Sequence, residues 1–273
     1  MLVTKSMSVG TLGSAATFAG EATSRMRERH PEFNEPVYFP SMDDCWRALN
    51  EDTVEVAIVG VERTGQPHHG HPVITCGFHV IAELSQPLQC SLYVKPGTQK
   101  SRIRKITGHG SIHQCAAYLD REFPGVPREV HSLNSVAAAR DVMAGDGTMA
   151  VVGSQSLPRM LSGLEVMAAD IDEGAVANWW AVSKQPRFSD EPDALVIASR
   201  CGGDGKLGKI VAAVERNGYT LRTAAAFPVN QGVSIYDYLL IFDGKGRRST
   251  VEHAIARFDG ARLAGAFTHH RSL

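Results

Sequence analysis

The sequence predicts an α/β protein, in which a layered domain of alternating strands and helices is followed by a smaller ferredoxin-like module. Three observations predict this fold class. The run VEVAIVGVE is almost continuously apolar and has the length of a buried strand. Strand-like and helix-like segments alternate as far as Pro186. After the polar stretch KQPRFSDEPDA, the segments follow the order βαββαβ. We therefore expect a first domain over residues 1–186 and a second over residues 187–273.

The first domain can be read element by element. MSVGTLGSAATFAGEATSRMRERH predicts a short strand, a glycine-rich turn and a helix capped by Ser14 or Thr17. VEVAIVGVE predicts a buried strand, and ITCGFHVIAELSQPLQCSLYVKP predicts strands on either side of a turn at Gln86-Pro87. Helices are predicted for SIHQCAAYLDREF and for NSVAAARDVMAGDG, the second capped by Asn134 or Ser135. TMAVVGSQSLPRMLSGL predicts a buried strand followed by a helix.

The second domain consists of six consecutive segments that alternate between strand and helix patterns. In order they are ALVIASR, GKLGKIVAAVERNG, YTLRTAAAFPV, YDYLLIFDGKG, STVEHAIARFDG and ARLAGAF. The pattern is strand, helix, strand, strand, helix, strand, which is the ferredoxin-like order.

Composition excludes several classes of protein. The chain has 273 residues, 43% hydrophobic and 21% charged, with a formal net charge of −1 and no basic stripe, which argues against nucleic-acid binding. Its five cysteines are scattered and form no CxxC pair, which argues against a disulfide framework or a structural zinc site. The chain begins without a signal-peptide pattern and contains no apolar run long enough to span a membrane. We expect a cytoplasmic protein with no membrane association.

Short motifs near the N-terminus and in the middle of the chain resemble those of the prephenate dehydratase family. LGSAATFAGEA is similar to the family's GPxGTFS turn and keeps Gly13, Thr17 and Phe18. VGVERT is similar to its VPIENS strand end; it keeps Glu62 and has Arg63 in place of asparagine.

Two further motifs extend the resemblance. GHGSIHQC is similar to the family's SHPQALxQC, with matches at Gln114 and Cys115. His109 matches the family's histidine if one residue has been deleted; otherwise Gly108 takes its place. NSVAAA is similar to the STAxAA helix start. The resemblance covers nearly the whole chain, and it implies a two-lobed catalytic domain like a periplasmic binding protein, followed by a regulatory ACT domain.

The segment AVANWWAVSKQP departs from the family's NxTRF signature, whose threonine is taken to give a proton to the leaving ring hydroxyl. Asn178 remains, but the Thr-Arg-Phe triplet is replaced by Trp180, Ala181 and Val182. An indole N–H donates hydrogen bonds but is a very poor acid, so it cannot replace a hydroxyl in a proton relay. In this respect the segment looks like the prephenate decarboxylase branch of the family.

The resemblance implies three hypotheses for function. The first is a lyase that decarboxylates prephenate or a close analogue without forming an aromatic ring, in a specialised pathway. The second is an ordinary prephenate dehydratase that forms phenylpyruvate for phenylalanine biosynthesis. The third is a non-catalytic regulatory protein that binds a metabolite of the aromatic pathway.

The same resemblance implies a set of site residues. The expected catalytic residues are His109, Glu62 and Trp180, and the expected substrate-binding residues are Ser14, Thr17, Arg63, Thr64 and Asn178. His109 and Glu62 are the available acids, while Trp180 would keep the leaving carboxylate in a dry environment. The turn before the first helix would bind a carboxylate at the helix N-terminus, and Arg63 would add a cation.

Structural alternatives exist for several of these residues. Neighbouring residues on a strand point to opposite faces, so at most one of Trp179 and Trp180 can line a cleft, and both can be packing residues. Arg63 can form a surface salt bridge with Glu62. Thr17 can cap its helix.

The sequence also predicts partners and cofactors. The histidines of QPHHGHPV have no carboxylate or cysteine in ligand spacing, so we expect a loop there, with no metal, and we expect no cofactor. The substrate would be a small dicarboxylate similar to prephenate. By resemblance, the ACT domain would bind a small-molecule effector and associate into a homodimer or tetramer. Its usual ESRP motif is replaced by residues 225–228, AAFP, and its GAL motif by GKL at Gly205–Leu207.

Overall fold

The computed structural model describes residues 6–230 and 232–271. The backbone forms two compact units, each of which is assembled from separate stretches of chain. Unit 1 comprises Met1–Cys45, Arg63–Gln66 and Gln86–Ala177, and unit 2 comprises Trp46–Glu62, Pro67–Ser85 and Asn178–Leu273. These units interleave along the sequence and do not divide the chain at one point. The expected domain boundary after Pro186 therefore stays a prediction.

The strands in chain order are β1 (Met7–Leu12), β2 (Phe33–Phe39), β3 (Val56–Arg63), β4 (His79–Pro87), β5 (Cys90–Val94), β6 (Lys105–Gly108), β7 (Arg128–Val130), β8 (Met149–Ser154), β9 (Glu165–Ala168), β10 (Val176–Ser183), β11 (Ala194–Cys201), β12 (Tyr219–Pro228), β13 (Tyr236–Gly244), β14 (Arg262–Phe267) and β15 (His269–Arg271). The α-helices are α1 (Phe18–Arg29), α2 (Met42–Asn50), α3 (His71–Thr75), α4 (Ala116–Glu122), α5 (Ser135–Ala144), α6 (Leu157–Met160), α7 (Lys206–Glu215) and α8 (Arg248–Ile255).

Unit 1 contains a mixed sheet of five strands in the order β7-β6-β8-β5-β9. The pairs β6–β7 and β6–β8 are parallel, whereas β5 is antiparallel to both β8 and β9. Helix α5 covers this sheet through small residues such as Ala138 and Ala139, which pack against Tyr93 and Val151. The unit also contains the parallel pair β1–β2, which brackets α1.

Unit 2 contains the predicted ferredoxin-like module. Strands β12, β13, β11 and β14 lie side by side in that order, and their pairs are antiparallel. Helices α7 and α8 cover one face through Ile210, Val214, Val251 and Ile255, which join Phe242 in a buried cluster. The βαββαβ prediction is therefore confirmed in both its element order and its packing. Beyond β14 the sheet of this unit continues as β4-β10-β3.

The helix caps follow the sequence prediction, but two helices are shorter than expected. Thr17 caps α1 by accepting from the backbone N–H of Gly20 at 3.3 Å, and Asn134 caps α5 by accepting from Ala137 at 3.0 Å. Residues 111–115, expected to begin an α-helix, instead belong to a 3₁₀ turn, Gly110–Cys115, before α4. The helix predicted after β8 is the single turn α6. No helix within residues 6–230 or 232–271 is long and apolar enough to cross a membrane.

Candidate functional site

The expected site residues are divided between the two units. Unit 1 contains Ser14, Thr17, Arg63, Thr64 and His109, and unit 2 contains Glu62, Asn178 and Trp180.

The turn between β1 and α1 presents an unpaired hydroxyl at a helix N-terminus. Gly13 has φ +84°, a conformation that favours glycine, and it turns the chain into the helix. The Thr17 hydroxyl is occupied: it accepts from Gly20 and donates to the Ser14 carbonyl at 2.7 Å. The Ser14 hydroxyl is buried and has no hydrogen-bond partner. Thr17 therefore acts as the helix cap, and Ser14 is the residue of this turn that can donate to a ligand. Their expected substrate-binding roles stay predictions.

Arg63 is a cation that no carboxylate of the described residues neutralises. Its guanidinium forms no ion pair or hydrogen bond with any residue that the structure describes, so the salt bridge considered as its structural alternative is not formed. Burial lowers its pKa from the usual value. Its guanidinium lies against Gly110, where an added Cβ would be 2.6 Å from Nη1. A partly buried guanidinium without a counter-ion is costly for the fold and is the kind of group that binds an anionic ligand.

The His109 imidazole is electrostatically coupled to this cation. Burial, the larger cause, and the positive charge of Arg63 together lower its pKa to about 4. At neutral pH the imidazole is therefore uncharged, which suits a hydrogen-bonding group or a base better than the acid that the sequence suggested. A side chain at Gly108 would lie 3.1 Å from the carbonyl oxygen of Val152, so the position before His109 is tightly packed.

Thr64 and Gln114 bring the end of β3 to the 3₁₀ turn. The amide Nε2 of Gln114 donates to the Thr64 carbonyl at 2.9 Å, and the Thr64 hydroxyl accepts from the N–H of Val176 at 3.0 Å. Gln114 Oε1 and the Ser111 hydroxyl are buried without partners. Sequence reasoning missed Ser111 as a candidate, and it noted Gln114 only as a motif match. Both add polar atoms to the Arg63–His109 region.

In unit 2, Asn178 joins two polar side chains. Its Nδ2 donates to Glu62 Oε2 at 2.9 Å, and its Oδ1 accepts from the Ser85 hydroxyl at 2.5 Å. Because its amide is held from both ends, its orientation is well defined. Asn178 thus positions the Glu62 carboxylate, and both residues remain candidates for the site.

Both tryptophans of the AVANWWAVSKQP segment are buried, on opposite faces of β10. Trp179 packs against Gly60, where an added Cβ would lie 3.0 Å from its ring. Trp180 has no exposed surface, and its indole N–H donates to Glu83 Oε1 at 3.1 Å. Trp180 is therefore a packed, hydrogen-bonded residue in this structure, and its expected role in the reaction stays a prediction.

Glu83 is the centre of a buried ionic cluster that the sequence did not suggest. Its side chain is 1% exposed, and both of its oxygens accept from Arg222 Nη2 at 2.8 Å. Arg222 Nη1 also lies 3.2 Å from Asp243. The cluster joins Trp180 on β10 to β12 of the ferredoxin-like module.

The three histidines of the QPHHGHPV segment have different environments. His68 lies 4.9 Å from the ring of Trp180, and its Nδ1 accepts from the N–H of Gly70. Burial lowers the pKa of His68 to about 4. His71 stacks on Phe227 at 4.6 Å and lies 3.3 Å from Asp237. Within residues 6–230 and 232–271, no group of His, Cys, Asp or Glu side chains has an arrangement that could hold a metal ion.

The lowered pKa values of the half-buried His68 and His109 predict a loss of stability in acid. In the unfolded chain a histidine binds its proton near pH 6.5, whereas His68 and His109 resist protonation in the folded state until about pH 4. Between these values the unfolded state binds more protons, so stability falls as the pH falls through this window. We expect each group to contribute a loss of roughly 2 kcal/mol by about pH 4.5. Urea unfolding at several pH values measures this change in the free energy of unfolding.

Single substitutions assign that pH dependence. His109→Gln and His68→Gln should each make the free energy of unfolding less dependent on pH. His113→Gln, at an exposed position of the 3₁₀ turn, should not. A stability that stays constant between neutral pH and about pH 4.5 would contradict the buried, neutral state of both imidazoles.

Comparison with known proteins supplies the family. A model of the prephenate dehydratase family matches residues 9–187. The chain belongs to this family. It is 24% identical over 269 residues to a bifunctional chorismate mutase/prephenate dehydratase of Stutzerimonas stutzeri, an alignment that covers 94% of this chain and 70% of that protein.

Solved structures confirm the α/β fold of this family over nearly the full length, including the C-terminal region. The prephenate dehydratase of Arthrobacter aurescens in complex with L-Phe is 20% identical with a TM-score of 0.77, and the match covers 95% of this chain and 90% of that one. A structure described as GqqA, a novel type of quorum quenching acylase, is 16% identical with a TM-score of 0.73, covering 97% and 98%. Proteins described by different activities therefore share this fold, and the reaction must be argued from the site.

Proposed function

We propose that the protein is a lyase that acts on prephenate and forms phenylpyruvate. The observation that carries the proposal is the unneutralised guanidinium of Arg63 beside the neutral imidazole of His109, within the region that matches the prephenate dehydratase family. Prephenate carries two carboxylates and a ring alcohol, so a buried cation without a counter-ion is a suitable partner for it.

The proposed reaction breaks two bonds of the substrate. The bond from the ring to its carboxylate breaks and releases CO₂, and the electron pair left on the ring expels the hydroxyl group. That hydroxyl takes up a proton and leaves as water, which makes the ring aromatic. The protein must therefore hold the remaining carboxylate, keep the departing carboxylate away from water and place a proton near the hydroxyl.

The residues of unit 1 meet the first requirement. Arg63 binds a carboxylate through a charge-assisted hydrogen bond, and the unpaired Ser14 hydroxyl at the start of α1 donates a second one. His109 donates or accepts as a neutral group. The Glu62 carboxylate accepts from Asn178 within unit 2, and its expected catalytic role stays a prediction.

A second candidate reaction is decarboxylation with retention of the hydroxyl, in which the electron pair takes a proton at ring carbon. One observation favours it: Trp180, Ala181 and Val182, which replace the family's Thr-Arg-Phe, have no exposed surface. Their single side-chain donor, the indole N–H, is occupied by Glu83. This segment therefore supplies no proton to a departing hydroxyl.

Product analysis distinguishes these reactions. The purified protein is incubated with prephenate at neutral pH, and both prephenate consumption and the ultraviolet absorbance of phenylpyruvate in alkali are followed. We expect loss of prephenate matched by phenylpyruvate. If the same amount of prephenate is consumed without an aromatic product, the reaction is decarboxylation with retention of the hydroxyl and not dehydration. Saturable binding without turnover would instead support a regulatory binding protein.

Effector binding is proposed to differ from that of the relative solved with L-Phe. At the position of the family's ESRP motif, Phe227 stacks on His71 at 4.6 Å and lies 6.4 Å from His68. We infer that these ring contacts, together with the loss of the motif's polar side chains, weaken the response to phenylalanine. A different small-molecule effector and a homodimer or tetramer remain predictions.

A further inference from the structure

A cavity of about 710 Å³ lies between helices α7 and α8 of the ferredoxin-like module, within unit 2. It is lined by residues of these two helices and by the residues that directly follow each of them. Its volume is within the range of small-molecule sites. The GKL and AAFP segments, which replace the family's effector motifs, do not line it. The cavity is therefore distinct from the position of those motifs.

Small side chains leave this space open between the helices. Ala213 of α7 and Ala254 of α8 both line the cavity, and Ala213 is 1% exposed. Packed helices normally fill the gap between them with interdigitating side chains. A methyl group on each side fills little of that gap, so the two helices form a concave surface that a small molecule can enter.

Two guanidiniums line the cavity, one from the end of each helix. Arg216 follows α7 and Arg257 follows α8. Neither side chain forms an ion pair or a hydrogen bond with any residue that the structure describes. Arg257 lies over the ring of Phe258, 4.9 Å from its centroid, a contact that orients the guanidinium. None of the described residues that line the cavity is acidic, so both positive charges are uncompensated there.

Neutral hydrogen-bonding groups complete the lining. Ser249 and Thr250 lie in the first turn of α8, where the helix dipole favours an anion. The Thr250 hydroxyl donates to the Arg247 carbonyl at 2.8 Å, so Ser249 supplies the available hydroxyl donor. His253 also lines the cavity and follows Ser249 by four residues, which places both on the same face of α8.

We propose that this cavity binds a small phosphorylated molecule, whose phosphate oxygens accept from Arg216, Arg257 and the Ser249 hydroxyl. The planar fork of a guanidinium matches the geometry of phosphate oxygens and forms charge-assisted hydrogen bonds with them. A lining without carboxylates does not repel the second negative charge that distinguishes a phosphate from a carboxylate. This inference does not depend on the proposed lyase activity.

Titration calorimetry of the full-length protein with inorganic pyrophosphate, in buffer without divalent cations, tests the proposal. We expect saturable binding that Arg216→Met and Arg257→Met each weaken at least tenfold, as for loss of a hydrogen bond to a charged group. Ala254→Leu fills the cavity without changing its charge and should also weaken binding at least tenfold. Arg187→Met removes an exposed arginine of the same unit outside the cavity and should leave the affinity unchanged.

Succinate, a dicarboxylate, is the comparison probe and should bind at least tenfold more weakly than pyrophosphate. The inference is overturned by the absence of saturable binding, by unchanged affinity in both arginine variants, by full binding in folded Ala254→Leu, or by equally tight binding of succinate. Loss of binding in Arg63→Met would overturn it too, since it would place the anion at the proposed substrate site. Far-UV circular dichroism checks each variant, and the variants of the exposed Arg216 and Arg257 decide the result if Ala254→Leu does not fold.

Discussion

Arg222→Met is expected to lower the free energy of unfolding by about 3 kcal/mol or more, because removing one partner of a buried ion pair leaves the other charge uncompensated. Glu83 is 1% exposed and both its oxygens accept from Arg222 Nη2, so this substitution removes the charge of the arginine and both of these hydrogen bonds from a buried carboxylate. Urea denaturation at neutral pH, followed by circular dichroism, measures the change.

Two further variants test that explanation. Arg222→Met combined with Glu83→Gln removes both charges and should recover much of the lost stability, since an uncharged pair carries no unpaired buried charge. Arg248→Met removes a more exposed arginine whose partner Asp190 is 87% exposed, and should change stability by about 1 kcal/mol or less. Equal effects of Arg222→Met and Arg248→Met would show that the Glu83 cluster contributes no more than a surface pair.

Arg63→Met is expected to lower kcat/KM for prephenate by roughly 10- to 100-fold, the range for loss of a hydrogen bond to a charged group. The same change should raise the free energy of unfolding by about 1 kcal/mol, because the folded state no longer buries an unpaired cation. Arg63→Lys should recover little activity, since an ammonium lacks the planar fork of the guanidinium.

The combination of lower activity with higher stability separates a ligand-binding role from a structural one. Arg140→Met, at an exposed position of α5 in the same unit, should change neither quantity. If Arg63→Met destabilised the protein and left kcat/KM unchanged, Arg63 would be a structural residue.

Local chemistry explains which features the sequence predicted. Thr17 and Asn134 cap their helices because a short oxygen-bearing side chain can accept from a backbone N–H a few residues later, and this requires only nearby residues. The order of strands and helices in the ferredoxin-like module follows from hydrophobic periodicity in the same way. The start of α4 was mispredicted because a 3₁₀ turn and an α-helix have similar patterns over six residues.

The features that the sequence did not reveal depend on distant contacts. Arg222 follows Glu83 by 139 residues, and neither position has a pattern that indicates its partner. Strand alternation correctly places Trp179 and Trp180 on opposite faces, but it does not say that both faces are covered. The lowered pKa of His109 results from burial and from the charge of Arg63, and both effects depend on the folded structure.

Burial also changes which experiment is informative at the divergent motif. Restoring Thr-Arg-Phe at Trp180, Ala181 and Val182 would put a guanidinium where Ala181 has no exposed surface and remove the indole that donates to Glu83. We expect that triple variant to lose stability by several kcal/mol, so its products would report on unfolding as much as on chemistry.

The Arg63–His109 region is proposed to serve the turnover of prephenate. The most direct measurement is a time course of prephenate and its products by proton NMR, with wild-type protein, Arg63→Met and Arg140→Met at equal concentrations. The account predicts that prephenate disappears with wild-type and Arg140→Met, and at least tenfold more slowly with Arg63→Met. Prephenate that persists unchanged with folded wild-type protein, or that is consumed equally fast by Arg63→Met, would contradict it.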